Sequence, residues 1–371
     1  MKILFDFEKS SLYFDNPVSI ISCSSFKDVP RAFKKIEEAL SMGLYAAGFF
    51  SYELGYTFEE TFSSYNLNGF PLIHVGFYKK PTQYNNQFVA GGKACEVKNI
   101  RFNIAREKYF EHIDVIRSYI QAGDVYQITY CLKILFDFNG NAFDLYKNLF
   151  DMQPVPYAAF IEKDQYSIAS LSPELFLYKK GNYIISKPMK GTWQRGKTWF
   201  ADKLARYQFC RDEKNRAENI MITDLLRNDL GRVGKNIRVP RLCEVTPYKT
   251  LFQMTSTVAA NIEPDVSLYN LFKSLFPSGS VTGAPKIHAM EIIHELEREP
   301  RNIYTGAIGY IKPNKDLFFN IPIRTALINR SDGKGEMGIG GGIVWDSTAE
   351  GEWAEGILKA RFFTEGIHTG K

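Results

Sequence analysis

The sequence predicts an α+β fold, because runs with strand character and runs with helical spacing are mixed without a strict βαβ rhythm. At 371 residues the chain is long enough for two or three units or one large composite. Its 45% apolar and 23% charged residues are the mix of a protein that buries a sizeable core.

LYAAGFFSY and LIHVGFYKK read as short strands, and PRAFKKIEEAL as a helix whose Pro30 suits a first turn. A polar, glycine-bearing stretch, KKPTQYNNQFVAGGK, predicts a break that divides residues 1–95 from 96–371. REKYFEHIDVIRSYIQAG places Tyr109, Ile113, Ile116 and Ile120 at helical spacing and ends on Gly123, a good C-terminal cap. VYQITYCLKILFDF then predicts a strand, AFDLYKNLF a helix, and YAAFIEKDQYSIASLSPELFLYKKGNYIISK several strands joined by hairpins. Cys210 to Leu230 reads as one long helix, and APKIHAMEIIHELERE as another. Strands follow in IYTGAIGYI and LFFNIPIRTALI, then a glycine-rich strand. Ser347-Thr-Ala-Glu350 has the form of a capping box that opens a closing helix.

A net charge of +5 spread over the chain argues for solubility and a mild anion preference, not for a nucleic-acid footprint. No apolar run is long enough to span a membrane, and MKILFDFEKS carries Asp6 and Glu8 where a signal peptide would be uncharged. The five cysteines, Cys23, Cys95, Cys131, Cys210 and Cys243, form an odd set without C-x-x-C spacing. Disulfides and thiolate zinc sites are not expected, and a cytoplasmic setting fits.

Gly191 to Thr198 satisfies the phosphate-loop pattern G-x-x-x-x-G-K-[ST], with Lys197 and Thr198 at its end. Its context argues against a nucleotide site. Lys187 to Lys190 separate the loop from the apolar strand, and the acidic run at Asp224 lies in a helical segment. Among the carboxylates, Glu218 shares a helix face with Met221 and so turns toward buried surface, whereas Asp224 and Arg227 suit a plain surface ion pair. Glu352, Glu355 and Lys359 fall on one stripe of the closing helix, which from spacing alone a solvated face with a helical ion pair explains better. Carboxylates on two helices would suit Mg²⁺, and the few histidines show no zinc spacing. Gly340, Gly341 and Gly342 weaken a strand unless a ligand or backbone must come close. Arg324 among apolar residues calls for an anion, of which a planar carboxylate is the natural match. Together these sketch a pocket for a small anion bearing carboxylates.

At these residues the chain resembles the chorismate-utilising enzymes, the family of anthranilate synthase component I and the isochorismate and salicylate synthases. The matching segments are GDVYQITY, KPMKGTWQRG, AENIMITDLLRNDLGRV, FPSGSVTGAPKIHAMEII, YTGAIGY, IPIRTA and GGGIVWDSTAEGEWAEGILKA, in family order. Residues 96–371 would then be the chorismate-binding catalytic domain and residues 1–95 a shortened N-terminal region of one composite unit. The resemblance implies two stacked antiparallel or mixed sheets flanked by helices, with the active site between them.

The resemblance also implies a subgroup. Members that add water to the ring carry a lysine base where this chain has Gln127, so water activation is not expected. Lys190, in Pro188-Met189-Lys190-Gly191-Thr192, stands where aminodeoxychorismate synthases carry a lysine and anthranilate synthases an alanine. A desolvated lysine can act as a nucleophile. Lys190 would attack C2 of chorismate as the C4 hydroxyl leaves, and ammonia would displace it at C4. The product is 4-amino-4-deoxychorismate, on the route to p-aminobenzoate and folate.

By resemblance, Glu218 and Glu355, with Glu352 close by, would hold Mg²⁺. Tyr304, Arg324 and the amides around Gly340, Gly341 and Gly342 would hold the enolpyruvyl carboxylate. Gly191, Thr192 and Thr282 would line the pocket, and Lys359 would assist the hydroxyl's departure. Phe252 falls where a histidine tied to pyruvate release is frequent, which argues against anthranilate synthase component I, the nearest alternative. No G-x-C-x-G elbow is present, so a separate glutamine amidotransferase is expected to deliver ammonia. From other classes, an ATP-hydrolysing enzyme or a non-catalytic anion-binding subunit would be told apart by turnover of ATP or by none of chorismate.

Overall fold

The computed structural model describes the whole chain except residues 9, 64, 66, 68, 87, 89–94, 249–250, 298 and 367–371. Among the described residues the strands form two ten-stranded sheets, antiparallel at every pairing. The first sheet runs, in spatial order, Gly283–Ala284, Gln127–Asn139, Lys334–Ile343, Thr325–Asn329, Tyr166–Ser172, Tyr157–Glu162, Lys2–Phe7, Ser10–Phe14 and Thr82–Gln83. Glu96–Phe102 also pairs with Gln127–Asn139. The second runs Met189–Gln194, Leu251–Ile262, Tyr183–Lys187, Leu175–Lys180, Leu317–Asn320, Ala307–Ile311, Tyr45–Phe50, Ile73–Tyr78 and Ser19–Cys23. Gly234–Pro247 pairs with Leu251–Ile262 beside it. Residues before the predicted break thus supply strands to both sheets. The break itself falls partly outside the described residues.

Three apolar clusters stack the layers. Helix α1 (Val29–Ser41) buries Val29, Ala32, Phe33, Ile36 and Leu40, a helical stripe, against the outer face of the second sheet. The outer face of the first sheet is covered by α2 (Arg106–Ala122) and α3 (Ala142–Met152). Between the sheets, Ile3, Phe5 and Phe7 alternate inward from one strand to meet Phe49, Ile308, Tyr310 and Phe318 from the other sheet. Aromatic side chains therefore fill one end of the intersheet space. At the other end the inward positions are small or polar, and a cavity forms.

The first two residues of the helix expected from Cys210 to Leu230 instead close a preceding helix, α4 (Trp199–Arg211), and the expected helix itself is α5 (Glu213–Gly231). Asp212 separates them: its backbone is extended and its carboxylate caps α5, accepting from Asn215 N at 2.9 Å. The buried face of α5 is Ile222, Leu226 and Leu230, while Ile220 is exposed. Two shorter helices follow, α6 (Leu268–Leu275) and α7 (Lys286–Leu296). The closing helix, α8, spans Ala349–Gly366. Its cap is Thr348, whose hydroxyl accepts from Gly351 N at 3.2 Å, rather than Ser347. The phosphate-loop pattern binds its own chain: Asp202 of α4 accepts from Gly196 N at 3.1 Å and pairs with Arg195, so a carboxylate already holds the place of an anion.

Candidate active site

The cavity measures about 1090 Å³ and is walled by both sheets, α5 and α8. Lys190 reaches it from the edge strand Met189–Gln194, along with Gly191 and Thr192. Gly191 has φ +85°, and a side chain there would collide with Asn215, which the Asp212 cap holds in place. Glu218 follows one turn later on α5.

The glycine strand opens the cavity on both of its faces. Successive residues point to opposite sides. A Cβ on Gly341 would lie 2.9 Å from Glu352 Oε2, 3.6 Å from Lys359 Nζ and 3.9 Å from Glu355 Oε1. A Cβ on Gly342 would lie 2.0 Å from Gln127 Nε2 and 3.2 Å from Lys190 Nζ. Bare backbone is therefore what lets the acidic stripe of α8 and the amine of Lys190 approach one strand from either side. Lys359 donates to Gly340 O at 2.8 Å and pairs with Glu355 at 2.7 Å. Glu355 sits at the mouth, half exposed.

Tyr304 and Arg324 line the same cavity. The ring of Tyr304 lies on Gly338, where a Cβ would be 2.2 Å from its Cγ. Arg324 is not within a strand. It stands at the corner between Leu317–Asn320 and Thr325–Asn329 with φ +52°, which turns the guanidinium into the cavity, where burial lowers its pKa. Two expected residues do not line the cavity. Thr282 is buried, its hydroxyl donating to Ser278 O at 3.1 Å and its carbonyl accepting from Thr129 N at 2.6 Å. Gln127 lies behind Gly342.

Charge is concentrated here. Burial pulls the Lys190 amine below the ordinary lysine range, while Glu218 and Glu174 favour its charged form. Burial pushes Glu218 up, opposed by Lys190 and Lys214 and reinforced by Glu355. Glu352 is likewise raised by burial, although the Ser347 hydroxyl donates to it at 2.6 Å. Lys359 holds Glu355 below the usual carboxylate range. Glu218, Glu352 and Glu355 offer oxygen donors only, which would suit a hard cation rather than a soft one. Among the described residues no three such groups stand close enough together to hold a metal ion.

Sequence reasoning missed Glu174. It is buried in the cavity wall, accepts from Ser280 Oγ at 2.6 Å and from Met189 N at 3.4 Å, and burial pushes its pKa up to about 7. Sequence reasoning also did not single out Gln253 on the strand Leu251–Ile262. Phe252 points away from the cavity into a cluster with Phe209 and Met254, under the Arg195 guanidinium. Gln253 faces the cavity instead, with its Oε1 buried and unpartnered. Strand alternation from the buried Phe252 is the signal that would have found it.

Against known proteins, the profile of the chorismate binding enzymes matches residues 90–365. Aminodeoxychorismate synthase component 1 of Bacillus subtilis (strain 168) is 37% identical over 254 residues, 68% of this chain and 54% of that protein. Anthranilate synthase component 1 of Aquifex aeolicus (strain VF5) is 35% identical over 277 residues, 74% of this chain and 56% of that protein. The chain thus spans about half the length of these curated relatives. The crystal structure of anthranilate synthase component I from Streptococcus pneumoniae TIGR4 superposes with a TM-score of 0.81 at 25% identity, covering 98% of this chain and 92% of that one. No helix among the described residues is long and apolar enough to cross a membrane. With the family's profile matched over most of its length and the two-sheet fold in common, the chain is a member of the chorismate-binding enzyme family.

Proposed function

We propose that the chain is an aminodeoxychorismate synthase component I, which converts chorismate and ammonia to 4-amino-4-deoxychorismate and water. The observation that carries this reading is the desolvated amine of Lys190, enclosed in the cavity with a carboxyl group, Glu174, whose pKa burial pushes up to about 7, so that about half of it is protonated at neutral pH. The neutral amine's lone pair forms a bond to C2. The ring double bonds shift, the C4–O bond breaks, and Glu174 gives its proton to the departing hydroxide, which leaves as water. Ammonia then bonds to C4, the double bonds return, the C2–N bond to Lys190 breaks to release the neutral amine, and the ammonium formed at C4 returns a proton to Glu174. Arg324 and Tyr304 orient the enolpyruvyl carboxylate, and Gln127 offers no amine base to activate water instead. Lys359, which donates to Gly340 O on the glycine strand, would assist the hydroxyl's departure.

Glu218 and Glu355, with Glu352 near, would hold Mg²⁺, which supplies positive charge for the ring carboxylate. Replacing Glu355 by glutamine is expected to raise the Mg²⁺ concentration needed for half-saturation by roughly tenfold. Titration calorimetry with magnesium chloride checks this, and equal curves for variant and wild type would remove Glu355 from the metal site. Ammonia would come from a separate glutamine amidotransferase.

Anthranilate formation is the second reading, favoured by the relatives of that name. It requires pyruvate to leave, and Gln253, the residue this strand turns to the cavity, has no titrating proton to assist. Incubating the protein with chorismate, Mg²⁺ and ammonium chloride is expected to yield a product that retains the enolpyruvyl group by mass spectrometry. Anthranilate as the main product would reject the proposal in favour of the second reading.

A further inference from the structure

Helix α4 has two apolar faces. One is buried: Ala205 and Phe209 pack with Trp193, Phe252 and Met254. The other is bare. Trp199 is 72% exposed, Phe200 73%, Tyr207 56% and Leu204 48%. At about 100° of turn per residue these four share one arc of about 140°, on the side of the helix opposite Phe209. Single exposed apolar residues are ordinary on a protein surface, but four large ones on one short helix mark a face that something covers.

The bare face is also cationic. Lys203 and Arg211 lie within the same arc, each over one of its rings. Lys203 Nζ is 4.0 Å from the centre of the Trp199 ring, and the Arg211 guanidinium is 3.8 Å from that of Tyr207. Arg206 flanks the arc and Lys197 precedes it, both exposed. The one carboxylate of the helix, Asp202, is turned toward Arg195 and Gly196 N, which it holds. With Thr198 accepting from Ala201 N at 3.2 Å, the start of the helix is fixed, and Trp199 and Phe200 project from a rigid corner. Two copies of the chain meeting through this face would set its cations against one another with no acid between them. The charge therefore calls for an anionic partner.

We propose that the bare face of α4 seats the protein on an anionic membrane surface, with Trp199, Phe200, Leu204 and Tyr207 entering the headgroup boundary and Lys203, Arg206 and Arg211 meeting lipid phosphates. Trp and Tyr suit that depth because each joins an apolar ring to a polar edge. Long cationic side chains lay their stems along the apolar layer and keep their charge at the phosphates. A projecting ridge enters a yielding lipid surface directly, whereas an acidic protein would have to offer a matching cleft. Among the described residues the catalytic cavity is walled by α5 and α8 and not by α4, so a seated enzyme keeps that cavity open. The seating is independent of which reaction the cavity performs.

The test is sedimentation of the full-length protein with lipid vesicles. Partitioning onto equimolar phosphatidylglycerol and phosphatidylcholine is expected to exceed that onto phosphatidylcholine alone by roughly tenfold or more at low salt, and to fall as salt screens the cations. Trp199→Ser combined with Phe200→Ser is expected to lower partitioning roughly tenfold with an unchanged melting curve, since both side chains are exposed. Lys203→Glu combined with Arg206→Glu is expected to abolish the difference between the two lipids. The seating is overturned if the wild type stays in the supernatant with the anionic vesicles. In that event, a dimer by light scattering that the serine variant breaks would make the face a contact between copies, and binding to polyglutamate would make it a site for an acidic protein. It is equally overturned if the serine variant sediments with the vesicles as the wild type does.

Discussion

Replacing Lys190 by alanine is expected to lower chorismate turnover by at least ~10³-fold, about 4 kcal/mol of barrier, while chorismate affinity changes little. The reason is the division of labour in the cavity. In the proposed mechanism binding charge comes from Arg324 and the glycine amides, whereas Lys190, beside Gly342, supplies the nucleophile's lone pair. Burial is what makes the lone pair available, because desolvation penalises the ammonium. A guanidinium stays charged at any relevant pH, so Lys190→Arg keeps the positive charge and loses the nucleophile. Both variants are expected to be equally impaired in single-turnover rate, with chorismate binding measured separately by titration. Recovery of activity in Lys190→Arg would mean that residue 190 acts only as a charge. Trapping the wild type with chorismate in the absence of ammonia is expected to leave a covalent adduct on the intact protein, absent from Lys190→Ala.

The sequence carried the parts of this site that depend on local pattern. Helix α2 is legible because its apolar spacing and the left-handed Gly123 that ends it, φ +81°, are properties of neighbouring residues. Gly341 and Gly342 announce a close approach because nothing else excuses consecutive glycines in a strand. What local pattern does not carry is the identity of whatever comes close. Glu174 reads as one acid among strand residues. Its character is set by Ser280, 106 residues away, and by burial under the opposite sheet. The break between α4 and α5 is a similar case: Asp212 reads as an ordinary helix residue until its carboxylate is seen to cap the next helix. Phe252 and Gln253 differ in which side of a strand each faces, and that choice between core and cavity is settled by the sheet rather than by either residue alone.

Glu174→Gln is expected to reduce kcat/KM for chorismate on the order of 10²- to 10³-fold and to change the form of its pH dependence. In the wild type two protonation states are needed together. Lys190 must be neutral, so the rate climbs as pH rises through its lowered pKa. Glu174 must be protonated, so the rate falls as pH rises through about 7. Glutamine is nearly isosteric, and its carbonyl can still accept from Ser280 Oγ, so the wall of the cavity is kept while the transferable proton is lost. The variant's residual rate, measured at fixed free ammonia, is therefore expected to keep climbing above pH 7, governed by Lys190 alone. A falling limb that survives the substitution would assign the proton to another group, and Lys359, within reach of Gly340 O and Glu355, would be the next to replace.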